Sequence, residues 1–257
     1  MNPIKITIAT VTYNAGSLLE RTMKSVAEQD YPYVEHLIVD GNSQDNTLTV
    51  FHHYQELNSN ASVRHELVCR SEPDKGLYDA MNKAINLATG NYICFLNAGD
   101  KLHSPHTLSH IAKCAAEQPA ILYGDTDIVD NEGHFLGHRR LRPPRRLTWR
   151  SFKKGMLVCH QSFYARTDLT RQTTYNLRYR FSADFDWCIR LMKTARRKHL
   201  PIVNTQEVLS DYLNEGLTTK NHKKSLFERY RIMGHHYGYI TTSVMHLWFI
   251  VRSALKK

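Results

Sequence analysis

Between Asn91 and Asp100 the chain runs through Ile93, Cys94, Phe95 and Leu96 without a polar interruption, then turns through Asn97, Ala98, Gly99 and Asp100. A run so short and so apolar, bounded by turn residues, predicts a strand buried on both faces, as at the centre of a parallel sheet. Open α/β sheets bind their ligands outside the carboxyl ends of such strands. Asp100 would therefore reach a ligand cleft, where its oxygens suit Mg²⁺ or Mn²⁺, the ions that accompany substrate phosphates. The same four residues also make an ordinary strand-terminating turn, because Asn, Gly and Asp are common in turns. Taken alone, this stretch leaves both readings open.

Its surroundings decide the fold class. Ile4 to Val11 is a first strand, rich in β-branched residues, that enters the turn Thr12–Gly16. Ser17 is positioned to cap the helix that follows and stops near Tyr31-Pro32. His36 to Val39 is a second strand, ending in Asp40-Gly41-Asn42-Ser43, and a helical pattern starts from Asp45. Val63 to Cys69 is a weaker strand. Leu77 to Ala88 places Leu77, Tyr78, Met81, Ala84, Ile85 and Ala88 on one helical face, with Gly90 in the place of a C-terminal cap. Ser104-Pro105 opens another helix, through Ala116. This alternation predicts a doubly wound, mostly parallel sheet with flanking helices.

The second half is less regular. Ala120 to Tyr123 and Met156 to Tyr164 are candidate strands, Asp130 to Gly133 resembles a hairpin turn, and a helix runs from about Ser182 to Thr194.

Charge adds a second constraint. The formal net charge is +10, with eight Lys/Arg and no acid between Arg139 and Lys154, and eight Lys/Arg with one Glu from Lys220 onward. Such clusters predict anionic partners: phosphates, nucleic acid or an acidic membrane surface. Five scattered cysteines without a CxxC pair fit a reduced compartment better than a disulfide framework or zinc site. The N-terminus enters a strand pattern directly, so no signal peptide is expected. The apolar segment Tyr237–Val251, with His246 inside it, is short for a bilayer span but suited to lie on one.

No GxGxxG follows the first strand and no GxxxxGK[ST] occurs. Polar residues recur instead at strand ends: Thr12 and Asn14, Asp40, and Asn97 with Asp100. Three such ends side by side would line one cleft. Val11-Thr12-Tyr13-Asn14, Val39 to Thr47, Glu72 to Lys83 and Phe95 to Asp100 together resemble the family 2 glycosyltransferases, especially bacterial enzymes of capsule, O-antigen and colanic-acid-type polysaccharide assembly. The resemblance spans about residues 3–220.

It implies a GT-A fold, Rossmann-like, and inverting transfer from a nucleotide sugar. Carried over, Thr12 and Asn14 lie beside the nucleotide and Asp40 hydrogen-bonds its base, usually uracil. The segment from Asp74 to Asp79, with Asn97, borders the nucleotide and donor sugar. Asp100 matches an acid of the metal-binding region. Asn97 replaces an acid of the common pattern and Gly99 offers only backbone, so the expected Mn²⁺ or Mg²⁺ rests on Asp100. His160 and Gln161 match an acceptor-side motif. The family places its catalytic base at a helix start, matching Ser182 to Asp186.

Residues two apart on a helix point about 200° from each other, so Asp184 and Asp186 cannot both face one cleft. The motif match favours Asp184 as base, leaving Asp186 to support the helix N-terminus. The chemistry explains the need: an acceptor hydroxyl must lose a proton, and the sugar passes through an oxocarbenium-like state. Blander readings stand beside these. Asp40 alone is a turn acid, His160 a core histidine, His103, His106 and His110 a helix start rather than a metal site, and Asp125 and Asp127 structural or acceptor-facing.

The expected organisation is a GT-A domain over residues 1–220 and a basic, aromatic helical tail over 221–257. The expected partners are a nucleotide-sugar donor, UDP-linked as the resemblance implies, a lipid-linked saccharide acceptor, and the cytoplasmic face of the cell membrane. The competing class is a basic α/β module that holds nucleic acid through Arg139–Lys154. That stretch has no recognisable DNA- or RNA-binding motif and leaves the strand-end acids unexplained.

Overall fold

The computed structural model describes residues 3–214 and 222–254. Part of the sequence loop Leu213–Thr219 lies outside the described residues. The strands are β1 (Ile6–Thr12), β2 (Val34–Asp40), β3 (Glu66–Ser71), β4 (Tyr92–Phe95), β5 (Lys101–Leu102), β6 (Ile121–Val129), β7 (Phe135–His138), β8 (Phe163–Arg166) and β9 (Ile202–Leu213). The helices are α1 (Gly16–Ala27), α2 (Thr47–Ser59), α3 (Leu77–Leu87), α4 (Thr107–Cys114), α5 (Thr167–Arg171), α6 (Ala183–Arg197), α7 (His222–Tyr237) and α8 (Tyr239–Ala254).

The strands form one sheet in the order β3-β2-β1-β4-β8-β6-β9-β5, with β7 added to β6. The β3-β2-β1-β4 half is parallel. Beyond β4 the sheet becomes mixed: β8 is antiparallel to both β4 and β6, whereas β6 and β9 run parallel. Every residue of β1, β2 and β4 is buried. Alternation sorts the side chains: Ile6 and Ile8 join one core, and Ala9 and Val11 join the opposite one with α3 and α6. Helices thus cover both faces of the parallel half, which is why its strands are apolar throughout.

Some local expectations change. Helix α1 starts at Gly16, not after a Ser17 cap, because its free N–H groups find partners 29 to 32 residues ahead: Ala15 N–H donates to Thr47 Oγ1 at 3.1 Å and Gly16 N–H to Asp45 at 3.2 Å. Gly90 is not a cap. A Cβ there would lie 2.6 Å from Thr7 Oγ1, so the glycine permits close packing against β1. The apolar run Met156–Tyr164 is strand only from Phe163; His160–Ser162 is a 3-10 turn that swings its polar side chains toward β4.

Candidate active site

Strands β2, β1 and β4 are neighbours, and the pairing sets Thr12 directly beside Asp40. The expected row of polar strand ends therefore exists. Asn14 holds the first two loops together: its N–H donates to Ser43 Oγ at 2.8 Å, and its Oδ1 accepts from Gln44 N–H at 2.8 Å. Its φ of 48° is a left-handed conformation that Asn tolerates better than most side chains. The Asp40 carboxylate is fully buried, taking the hydroxyls of Ser43 at 2.5 Å and Ser71 at 2.6 Å. A nucleobase would meet the loop that Asp40 organises before it met the carboxylate.

The Asp74–Asp79 segment is built by its own acids. Asp74 accepts from Gly76 N–H at 2.7 Å and Asp79 from Lys75 N–H at 3.0 Å. Asp74 also packs against Gly41, where a Cβ would stand 2.6 Å from its Oδ2; only glycine allows this approach. From the same segment Tyr78 reaches inward to donate to Asp184 Oδ1 at 3.2 Å. Its ring stacks on Tyr175 at 5.4 Å, and Tyr175 stacks on Trp187 at 4.7 Å.

The turn after β4 is held from below by Thr22 of α1. That hydroxyl accepts from Gly99 N–H at 2.9 Å and donates to the Asp100 carbonyl at 2.7 Å. Asp100 itself is buried, accepting from Gln161 Nε2 at 2.7 Å and Leu213 N–H at 3.0 Å. Burial pushes its carboxyl up to about 6, and these two hydrogen bonds only partly oppose the push.

Gln161 is thus tied to the turn, and its neighbour His160 bridges to the other wall. Asn97 Nδ2 lies 3.2 Å from His160 Nε2, and His160 Nδ1 lies 3.4 Å from Asp184 Oδ2. With the Asn97 amide donating, the ring proton sits on Nδ1 and faces Asp184. Burial raises the Asp184 carboxyl, but His160 and the charge of Arg229 more than offset it and leave it below its ordinary value. A carboxylate held ionised beside the strand ends is equipped to accept a proton. Asp186 points the other way, as the helical angle requires, and pairs with Arg190 at 2.6 Å and His236 at 2.8 Å.

Two buried side-chain oxygens among these groups lack partners: Thr12 Oγ1 and Asn97 Oδ1. Unmatched polar atoms at strand ends are groups left for a ligand. Asn97 Oδ1 and the Asp100 carboxylate fit the oxygen preference of Mg²⁺ or Mn²⁺ but form a sparse set, which substrate phosphates would have to complete. Elsewhere, His103, Asp127 and Asp211 bring ligand atoms within 4.8 Å of one another. There Lys101 already sits 3.1 Å from Asp211 and His138 sits 2.8 Å from Asp127. His106 instead pairs with Asp30, His110 with the Thr205 carbonyl, and Asp125 with Arg142.

Sequence reasoning gave no chemical part to Tyr78, which it read only as an inward-facing helix residue, nor to Thr22, Ser43 or Ser71. The signal for Tyr78 was its place inside the Asp74–Asp79 segment.

Comparison with known proteins gives the family and the fold. The family model described as Glycosyl transferase family 2 matches residues 7–172. A PGL/p-HBAD biosynthesis glycosyltransferase of Mycobacterium bovis is 34% identical over 182 residues, covering 70% of this chain and 66% of that protein. The chain thus spans slightly less than two thirds of that relative. Staphylococcus aureus TarS 1-349 in complex with UDP-GlcNAc superposes with a TM-score of 0.66 at 17% identity, over 83% of this chain and 59% of that one. The mannosyltransferase PcManGT of Pyrobaculum calidifontis, in complex with GDP-Man and Mn2+, gives 0.61 at 14% identity, over 95% and 74%. These two likenesses establish the fold.

Proposed function

The chain belongs to glycosyl transferase family 2, with the GT-A fold, and from that membership we propose that it transfers a sugar, with inversion, from a nucleotide-sugar donor to a lipid-linked saccharide in surface polysaccharide or glycolipid assembly. The observation behind this reading is the Asn97–His160–Asp184 relay, which sets an ionised carboxylate beside the strand ends where a nucleotide would bind. In the proposed reaction Asp184 accepts the proton of the acceptor hydroxyl as its oxygen attacks the anomeric carbon. The bond from that carbon to the diphosphate oxygen breaks, and the nucleoside diphosphate leaves. Tyr78 and His160 hold Asp184 in position, and Tyr78 stays neutral because burial and the Asp184 charge raise its hydroxyl far above its ordinary value.

The loops of Asn14, Asp40 and Asp74 would seat the nucleotide, with Thr12 beside it and Asp79 fixing the approach to α3. Mn²⁺ or Mg²⁺, held by Asp100 and Asn97 with the donor phosphates, would stabilise charge on the leaving group. Gln161 keeps Asp100 in place, so the expected acceptor-side pair His160–Gln161 reads better as a link between the acceptor wall and the donor turn.

Helix α8 supports a position at a membrane surface. Ile240, Val244, Leu247 and Val251 form one stripe at helical spacing, each at least 47% exposed, and Arg252 stacks over Trp248 at 4.4 Å. Among the described residues no helix is long and apolar enough to cross a membrane. An exposed apolar stripe with basic residues beside it is the pattern of a helix lying in an anionic interface.

The test is an assay with labelled UDP- and GDP-sugars, a bacterial lipid extract and Mn²⁺. Label should move into the organic phase with the wild type and not with Asp184→Asn. No transfer from any donor, together with salt-sensitive binding to a random oligonucleotide, would instead favour the nucleic-acid module.

A further inference from the structure

We propose that Glu228 of α7 is a positioning residue for the transfer reaction, acting through the first turn of α6 on Asp184, so that the C-terminal helices are part of the catalytic frame. This rests on the reading of Asp184 as the base.

The segment Arg180–Ser182 leads into α6 two residues before Asp184, and its backbone donors converge on one carboxylate. Arg180 N–H donates to Glu228 Oε1 at 2.7 Å, while Phe181 and Ser182 N–H donate to Oε2 at 2.8 and 3.0 Å. Ser182, at the N-cap, makes no side-chain cap hydrogen bond of its own. Its hydroxyl turns to Ser225 Oγ of α7, 2.9 Å away. Glu228 thus holds, from 46 to 48 residues ahead in sequence, the three residues that lead into α6. Glu228 is also the only acid from Lys220 to the C-terminus, in a stretch with eight basic residues. Its carboxylate is half-buried and forms none of the salt bridges found among the described residues. Its hydrogen bonds go to backbone.

A second joint lies at Asp186, in the first turns of α6. His236 of α7 binds Asp186 Oδ1 through Nε2 at 2.8 Å and lies 2.9 Å from Lys193 through Nδ1. Glu228 and His236 are eight residues apart, a little over two helical turns, so both fall toward α6. Gripped at these two points, α6 has its rotation about its own axis fixed. That rotation sets where Asp184 points. A helix with side chains has a radius of roughly 5–6 Å, so a turn of about 20° moves a side-chain end by about 2 Å. Such a shift would break the contacts of Asp184 with Tyr78 at 3.2 Å and His160 at 3.4 Å. Misplacement by about 1 Å can cost about 100-fold in rate.

The experiment measures kcat, donor KM, free nucleoside diphosphate affinity and Tm for Glu228→Ala, Glu228→Gln, Asp184→Asn and Tyr237→Phe in the full chain. Tyr237→Phe removes a different bond of α7, the 2.6 Å hydrogen bond to the Trp149 carbonyl. It reports what loosening this helix does when residues 180–182 are left alone. The expected result is a kcat loss of about 10- to 100-fold for Glu228→Ala, with partial recovery in Glu228→Gln, which keeps one acceptor oxygen. Donor KM and nucleotide affinity should stay within about twofold, and Tyr237→Phe should keep wild-type kcat. Should Glu228→Ala not fold, Glu228→Gln against Tyr237→Phe at matched Tm decides. Wild-type kcat in the folded Glu228 variants, or an equal loss in Tyr237→Phe, overturns the proposal. An active Asp184→Asn overturns the base reading itself, and an inactive Asp184→Asn beside active Glu228 variants overturns only the positioning role.

Discussion

His160 Nδ1 and Asp184 Oδ2 meet at 3.4 Å, and the same ring lies 3.2 Å from Asn97 in the turn after β4. The ring lowers the pKa of the carboxyl, against a burial that raises it. Asn97 and Asp184, 87 residues apart in sequence, are thereby joined by one imidazole.

Asp184→Asn should lower kcat by about 10²- to 10⁴-fold, the usual contribution of a positioned base, while donor binding persists. Asp186→Asn should fold less stably, because it leaves His236 and Arg190 without their carboxylate, and lose far less kcat than Asp184→Asn, because it loosens one joint of α6 without removing the base. Steady-state kinetics with isothermal titration of the nucleoside diphosphate separates the two, and an inactive Asp186→Asn beside an active Asp184→Asn would reverse the assignment.

His160→Ala should shift the acid limb of the kcat profile upward. Burial raises the Asp184 carboxyl and His160 is the main opposing influence, so removing the ring lets the value rise. Activity lost at low pH should then return, at least in part, as pH increases. An unmoved acid limb would show that the imidazole does not tune the base.

Asp40→Ala should weaken the free nucleoside diphosphate by about 10-fold with or without Mn²⁺, since it releases the Ser43 and Ser71 hydroxyls that shape the loop; the lost charge-assisted hydrogen bonds set that order of magnitude. Asp100→Ala should chiefly remove the benefit of the ion. Titrations with and without metal read both effects, and equal metal dependence in wild type and Asp100→Ala would remove Asp100 from the ion's shell.

Binding to anionic vesicles should weaken with salt and be abolished by Ile240→Asp with Leu247→Asp on the exposed stripe of α8. Each basic residue near an anionic leaflet contributes about 1 kcal/mol, so charge reversal of the leaflet should act in the same direction as salt. Point changes are preferable to truncation after Lys220, because truncation would also strip Glu228 from α6. Undiminished sedimentation of the double variant would move attention to Arg139–Lys154.

Acid stability should depend on His36. It is fully buried between Thr10 Oγ1 at 3.1 Å and the Tyr54 hydroxyl at 3.2 Å, and burial lowers its pKa to about 3. Below about pH 6.5 the unfolded chain binds a proton that the fold refuses. Stability contributed by the neutral ring is present above that pH and lost as pH falls toward 3, at up to about 1.4 kcal/mol per pH unit. His36→Gln should flatten this limb in denaturant titrations; a parallel curve would contradict a neutral buried ring.

The parts of the site that could be read in the sequence are those whose pattern is local. Apolar runs ending in Thr12, Asp40 and Asn97 specify strands and their open ends, and the helical angle alone separates Asp184 from Asp186. What escaped is set by partners far along the chain. Ser17 has a cap's chemistry, but Asp45 and Thr47 take that task and start the helix earlier. Met156–Tyr164 has a strand's composition, but contacts to Asn97 and Asp100 fold its middle into a turn. Glu228 stood out only as a single acid among bases, and nothing nearby in sequence shows that its partners are the amides of residues 180–182.

The carboxylate collar at Arg180–Ser182 bears on how enzymes of this architecture can be recombined. An engineer exchanging acceptor preference would naturally cut at the end of the sheet and graft a foreign C-terminal hairpin. Such a chimaera would lack the Glu228 and His236 contacts that aim α6, and it would fail in turnover while still binding its donor. A junction placed after Tyr237 keeps both contacts on the native side and leaves α8 as the exchangeable unit.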